Sequence, residues 1–143
     1  MKIKIKKLHP AAIIPKYATN GAACFDLHTT NGGRAISHGG TVVCNTGLAF
    51  EIPAGHVMLI YSRSGHGFKN SVRLVNSVGV VDSDFRGEVA VKLVNDSPLS
   101  FSVEAGDRIA QAMVVPVPRV EFVEADELAE TERGIGGFGS TGK

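Results

Sequence analysis

The chain has 143 residues, 43% of them hydrophobic, which is enough for one compact domain that buries a core without disulfide or metal support. Its 15 Lys and Arg residues against 14 Asp and Glu residues leave a formal charge of +1, so we expect no polymeric nucleic acid as a partner. There are only two cysteines, no apolar run as long as a membrane span and no signal-peptide pattern at the start, so we expect a cytoplasmic protein with no membrane segment.

Short apolar stretches rich in Val and Ile, separated by glycine, proline and aspartate turns, favour β-strands. The predicted strands are residues 2–6, 41–50, 56–61, 72–76, 88–94, 100–103, 108–115 and 119–123. Residues 124–131 form a run of good helix formers that is too short to be stable without packing. The sequence therefore predicts an all-β sandwich or jelly-roll barrel and not alternating strands and helices.

The composition changes at Arg133, where a glycine-rich segment begins that cannot build a core of its own. We therefore divide the chain into a β domain, residues 1–132, and a C-terminal tail, residues 133–143. The end of the tail fits part of a phosphate-binding loop pattern, G-x-x-x-x-G-K, whose N–H groups surround anionic oxygens. The alternative is a flexible terminus without a ligand, although the ring of Phe138 suits stacking on a planar base.

Two internal segments carry polar side chains that suit phosphate chemistry. Arg63, Ser64 and Gly65 lie in a predicted turn and offer a guanidinium, a hydroxyl and close backbone approach to an anion. Asp82 lies at the tip of a predicted hairpin, where an ionised carboxylate can orient and deprotonate a water. The alternatives are an ordinary loop with a solvated arginine and an aspartate that serves local hydrogen bonds.

Gln111 lies in an apolar strand, so its amide needs a backbone or ligand partner. Cys24 and His28 have a spacing that suggests metal binding, but no second pair completes four soft ligands, so we predict no zinc site.

Taken in order, five segments resemble the five motifs of the trimeric dUTPase family over nearly the whole chain. They are residues 23–27 (ACFDL), 63–65 (RSG), 79–87 (GVVDSDFRG), 106–111 (GDRIAQ) and 133–140 (RGIGGFGS). Cys24 stands in the family's glycine position, and Phe85 stands where the family usually has tyrosine.

The resemblance implies a jelly-roll subunit in a homotrimer, with each active site assembled from motifs of all three chains. The implied reaction cuts dUTP to dUMP and pyrophosphate, which limits uracil incorporation into DNA and supplies dUMP for dTMP synthesis. The tail would close over another subunit's site, and Mg²⁺ would chelate the triphosphate.

The resemblance also implies a role for individual residues. Asp82 would be the catalytic base, and Asp26 would hold Mg²⁺ through water. The implied substrate-binding residues are Arg63, Ser64, Gly65, Asn76, Gly79, Val80, Val81, Phe85, Gln111, Arg133, Phe138, Gly139, Ser140 and Thr141. The hairpin from Asn76 to Asp82 would read uracil through its backbone, and Phe85 would exclude a 2′-hydroxyl.

Two other functions fit parts of the pattern. A dCTP deaminase shares the fold and a similar Arg-Ser motif, but it lacks this stacking tail and is usually longer. A non-catalytic jelly-roll protein that binds a nucleotide or a protein is the other alternative, against which the intact Asp82 argues.

Overall fold

The computed structural model describes residues 1–140, and these form eleven strands and one short helix. The strands are β1 (Lys4–Lys7), β2 (Phe25–His28), β3 (Arg34–Ile36), β4 (Thr41–Asn45), β5 (Leu48–Glu51), β6 (His56–Tyr61), β7 (Val72–Leu74), β8 (Val78–Val81), β9 (Ala90–Asn95), β10 (Phe101–Val103) and β11 (Arg108–Pro116). The helix, α1 (Ser64–Asn70), lies between β6 and β7. The prediction of an all-β fold is confirmed.

The strands pair antiparallel in four small sheets. The largest has the order β2-β11-β6-β8, a second has the order β4-β9-β7, and the pairs β1-β5 and β10-β3 complete the fold. Because side chains alternate between the faces of a strand, every second residue of β9 enters the core: Val91, Leu93 and Asn95 are buried. The core is therefore built from the inner faces of several short strands.

The two cysteines are free thiols. Cys44 is fully buried, and burial raises its pKa to about 11, so its thiol is held in the unreactive protonated form. No helix in residues 1–140 is long and apolar enough to cross a membrane.

Several predicted strands are confirmed, and one of them, β6, has the predicted bounds. The predicted strand 41–50 is instead two strands, because the chain bends at Thr46 and Gly47. Strand β8 was expected only as part of the segment with Asp82 at its tip, and two strands were missed altogether: β2, which carries Asp26, and the short β3.

The prediction of a strand at residues 119–123 was wrong, since no strand is present there, and the run of helix formers at 124–131 forms no helix. The last bond that ties this segment to the core runs from the Val117 N–H to the Gly55 carbonyl. Pro116 and Pro118 lack the N–H donor that a strand ladder needs. The segment has the composition of a strand but finds no partner strand among the described residues.

Gly47 marks the bend between β4 and β5, and we predict that Gly47→Ala destabilises the fold. Its φ is +66°, and an added Cβ would lie 2.8 Å from the His9 Cβ and 3.0 Å from the Ala12 Cβ. A left-handed conformation costs an L-residue about 1–2 kcal/mol and overpacking about 1–3 more, so we expect a loss of roughly 3 kcal/mol in the free energy of unfolding.

Gly55→Ala is the matched control for this measurement by urea denaturation. Its φ is +75°, but nothing lies within 4 Å of the added Cβ, so we expect a loss of only about 1–2 kcal/mol. Equal losses in the two variants would contradict the packing argument.

Candidate active site

Strand β6 connects the two groups of predicted site residues. On one side it pairs with β8, where Met58 lies opposite Val81 and Tyr61 opposite Val78. On the other side it pairs with β11, where Gln111 lies opposite Tyr61. The predicted hairpin with Asp82 at its tip is not formed, because β8 pairs with β6 while the next strand, β9, pairs with β4 and β7. The residues predicted for it lie along one edge of β6, and the polar residues that follow Tyr61 lie at its end.

The first group surrounds a cavity of about 250 Å³ beside β8. Six of the predicted site residues line it: Asn76, Gly79, Val80, Val81, Asp82 and Phe85. Strand β8 is at the edge of its sheet, so half of its backbone N–H and C=O groups face away from β6. The wall of this cavity is therefore rich in backbone donors and acceptors.

Asp82 follows the last residue of β8 and begins a turn closed by a bond of 3.2 Å from the Phe85 N–H to the Asp82 carbonyl. Its carboxylate is exposed. Beyond the turn the Phe85 ring lies against Gly87, where an added Cβ would be 2.6 Å from the Phe85 Cζ. The turn thus brings a carboxylate and an aromatic ring to one cavity.

The second group is an ion cluster centred on Asp26 of β2. Its Oδ1 accepts a bond of 3.0 Å from the Arg63 Nε, and its Oδ2 accepts one of 3.3 Å from the Arg108 Nη1. The Asp26 side chain is 17% exposed and that of Arg63 22%, so water screens this pair less than a surface pair. Gln111 lies opposite Asp26 in the sheet and donates to the Ser62 carbonyl at 3.1 Å.

The predicted turn after Tyr61 is corrected to the start of a helix. Arg63 occupies the N-cap position, and Ser64 and Gly65 are the first, exposed residues of α1. The sequence argued against a helix because glycine is a poor helix former. Packing compensates, since His66 of α1 makes an edge contact with the Phe101 ring at a centroid distance of 5.3 Å.

Residues 133–140 form the third group and lie apart from these two. The bonds of this segment are local, such as the one from the Arg133 Nε to the Gly136 carbonyl at 2.9 Å. Phe138 is fully exposed and has a φ of +46°. Gly139 and Ser140 follow in the same exposed turn, and Thr141 lies outside the described residues.

The first two groups do not converge on one point within a single chain. Asp82 extends beyond the Met58 end of the β6–β8 ladder, and Arg63 extends beyond the Tyr61 end. The three steps from Met58 to Tyr61 span about 10 Å at about 3.3 Å per residue. Both side chains lie outside these ends, so their separation exceeds hydrogen-bond reach to a shared phosphate.

Three residues of these clusters were not among the predicted site residues: Arg108, His66 and Glu88. Arg108 belongs to the segment GDRIAQ, but its pairing with Asp26 spans 82 positions and no spacing rule reveals it. His66 lies beside Arg63, whose Nη1 approaches its Nε2 at 3.5 Å. Glu88 lines the cavity beside β8.

Comparison with known proteins places this geometry in a family. A family model described as dUTPase matches residues 11–142. A deoxyuridine 5′-triphosphate nucleotidohydrolase from Nautilia profundicola is 49% identical over 143 residues, which is 100% of both chains. The chain belongs to the dUTPase family. It is a hydrolase of the dUTP diphosphatase class.

Solved dUTPase structures have the same fold. The Staphylococcus bacteriophage 80alpha dUTPase with dUPNHPP superimposes with a TM-score of 0.88 at 25% identity, covering 99% of each chain. A mutant dUTPase from phage phi11 of S. aureus, whose structure details the coordination of a structural Mg(II) ion, has a TM-score of 0.79 at 20% identity. That match covers 89% of this chain and 98% of the phage chain.

His66 predicts a pH dependence of folding. Burial first, and then the nearby Arg63 guanidinium, lower the pKa of His66 from its ordinary value of 6.5. Below pH 6.5 the unfolded chain binds a proton at this histidine more readily than the folded chain does. The stability contributed by the neutral ring is therefore complete above pH 6.5 and decreases as the pH falls below it.

The measurement is the free energy of unfolding in urea at about pH 7.5 and about pH 5 for the wild type, His66→Gln and His38→Gln. His66→Gln should reduce the acid-induced loss of stability. The exposed His38 is the matched control and should leave that loss unchanged. An identical slope in all three proteins would contradict the assignment.

Proposed function

We propose that this dUTPase hydrolyses dUTP at the α-phosphorus, with Asp82 as the general base, in active sites shared between three copies of the chain. The carrying observation is the cavity beside the free edge of β8, which ends in the exposed carboxylate of Asp82. Water held by Asp82 would attack the α-phosphorus and pass its proton to the carboxylate, while pyrophosphate leaves.

Uracil recognition is proposed for the free edge of β8 and the preceding turn. Backbone groups of Gly79, Val80 and Val81 can pair with the edge of uracil as a neighbouring strand would, and Asn76 lies at the entrance of the turn. Cytosine has the opposite donor and acceptor pattern and would leave buried groups unpaired, which is costly. A narrow site along this edge would also exclude thymine's methyl group.

Phe85 is proposed to pack under the deoxyribose. Its ring is 44% exposed and faces the cavity that Asp82 also lines. A ring in this position fills the space of a 2′-hydroxyl without needing the phenol oxygen of the tyrosine usual in the family.

The phosphates are proposed to bind the cluster around Arg63, with Ser64, Gly65 and Gln111 as further donors. Arg63 is held by an anion, the Asp26 carboxylate, which a phosphate group could replace as partner. When the tail closes, Phe138 would stack on uracil, while Arg133, Gly139, Ser140 and Thr141 would complete the contacts to the nucleotide and exclude water.

The residues present fit a Mg²⁺ ion held mainly by the substrate. Among residues 1–140 no group of three His, Cys, Asp or Glu side chains could hold a metal, and both oxygens of Asp26 already accept bonds from arginines. Mg²⁺ commonly keeps several waters and binds one or two carboxylates plus substrate phosphates. Asp26 would hold such an ion through water, and the ion would offset the charge of the triphosphate.

The homotrimer is supported by two features of the chain. Asp82 and Arg63 lie at opposite ends of the β6–β8 ladder, so a site that needs both must draw on more than one copy. Apolar side chains are also exposed without cover, including Val80 at 63% and Phe122 at 93%. Packing between copies would remove this surface from water. In the cell, the reaction would limit uracil incorporation into DNA and supply dUMP for dTMP synthesis.

The deciding experiment measures pyrophosphate release from dUTP, dCTP, dTTP and UTP, with and without Mg²⁺. We expect strong preference for dUTP and dependence on Mg²⁺. For Asp82→Asn we expect nucleotide binding to persist while turnover falls by roughly a hundredfold or more, the scale of a lost general base.

Asp84→Asn is the matched control, since it removes a carboxylate from the same turn. Wild-type turnover by Asp82→Asn would contradict the assignment of Asp82 as the general base. Ammonia release from dCTP would instead favour the deaminase alternative.

A second test removes the tail by ending the chain at Glu132. Because the described part of the tail is exposed and bonded only locally, we expect an unchanged melting temperature and an unchanged trimer by light scattering. Turnover of dUTP should fall about tenfold or more because the closed, water-excluding site is lost. Phe138→Ala should show part of the same loss, whereas a truncated chain with full turnover, or one that no longer assembles, would contradict the proposed role.

A further inference from the structure

We infer that Glu88 is a positioning residue for Phe85 and thereby a determinant of selectivity for deoxyribose over ribose. This inference rests on the proposed function, since it assigns a second residue to the same sugar site. It draws on hydrogen bonds that link the catalytic turn to a distant bend of the chain.

Both carboxylate oxygens of Glu88 are bound to the bend between β4 and β5. Its Oε1 accepts a bond of 2.7 Å from the Gly47 N–H, and its Oε2 accepts one of 3.0 Å from the Asn45 Nδ2. Gly47 is buried, so its N–H would lose its partner without Glu88. Bonds to a carboxylate are stronger than those between neutral groups, which makes this a firm attachment.

Glu88 lies close to Phe85, the residue proposed to pack under the deoxyribose. Glu88 and Phe85 line the same cavity, and residues 85–88 belong to no strand. The following residue, Val89, is fixed by backbone bonds to Thr46 and Leu48. Within the turn itself, the Arg86 Nη1 donates to the carbonyls of Ser83 and Phe85 at 2.7 and 2.9 Å. Glu88 is the side chain that ties this returning segment to the bend between β4 and β5.

Asp82 depends less on this anchor, because it directly follows β8, whose backbone is paired with β6. Phe85 lies on the other side of the turn, with its ring resting on Gly87. Loss of the Glu88 anchor should therefore move the ring more than the carboxylate. A shift of about 1 Å is enough to impair a positioned group.

The experiment compares kcat and KM for dUTP and UTP in the full chain and in three variants. Glu88→Leu removes both bonds at similar side-chain size. Glu88→Gln keeps an acceptor for the Gly47 N–H, and its amide can donate to Asn45 once the Asn45 amide rotates. Glu51→Leu removes an exposed glutamate that lies outside the cavity and is the matched control.

For Glu88→Leu we expect KM for dUTP to rise and the ratio of kcat/KM for dUTP over UTP to fall, each by about tenfold. The kcat for dUTP should stay within about threefold of the wild type, a split that general loss of structure would not produce. Glu88→Gln should restore the ratio, and Glu51→Leu should leave it unchanged.

An unchanged ratio in folded Glu88→Leu, or a Glu88→Gln variant as impaired as Glu88→Leu, would overturn the inference. If Glu88→Leu does not fold, Asn45→Ala takes its place in the test. This variant removes one of the two bonds and should lower the ratio of kcat/KM for dUTP over UTP by a smaller factor. The proposed function fails separately, through a wild type that does not hydrolyse dUTP.

Discussion

The antiparallel pairing of β6 with both β8 and β11 is the constraint on which the site depends. It leaves the outer edge of β8 free, which gives the cavity beside β8 its backbone donors and acceptors. It also sets Gly79 opposite Ile60, where an added Cβ would lie only 3.1 Å from the Ile60 Cβ. A slip of one residue would turn the buried Val81 outward and put a side chain where Gly79 is needed. The cavity and the core therefore require the same register.

The second constraint is charge. Arg63 and Arg108 approach each other because both bind Asp26, and the partly buried guanidinium of Arg63 and the exposed one of Arg108 would repel without it. On the proposed function, the carboxylate would hold the Arg63 donor in place before the substrate arrives, which would reduce the reorganisation needed at binding. On the proposed function, the triphosphate takes over the role of counter-ion. Asp26 would then be free to hold a Mg²⁺ ion through water, so the same aspartate would have a partner in the empty and in the loaded site.

Short sequence patterns were sufficient to predict the elements whose structure depends on residues close together in the chain. The apolar run of β6 and the turn after β8 were readable from sequence. The predicted hairpin was not formed, because β8 pairs with β6 and not with the strand that follows the turn. Helix α1 was not, because Gly65 and Gly67 weaken a helix that the packing of His66 on Phe101 restores. The strand predicted at 119–123 is absent for the opposite reason. Its residues have the composition of a strand, but no strand in the described part of the chain pairs with them. The Asp26 cluster joins positions 37 and 82 residues apart, which no motif spacing encodes.

On the proposed function, the glycine-rich tail would make closure of the site depend on the bound ligand. Ordering the backbone of eight residues, Arg133 to Ser140, costs on the order of 10 kcal/mol at about 1–2 kcal/mol per residue. Stacking of one ring on a base returns about 1–3 kcal/mol, so Phe138 alone cannot hold the tail closed. The charged bonds of Arg133 and the hydroxyl groups to phosphate must supply much of the remainder. Once the α–β bond is cut and pyrophosphate can leave, those bonds are lost, and the same entropy that opposed closure then opens the site.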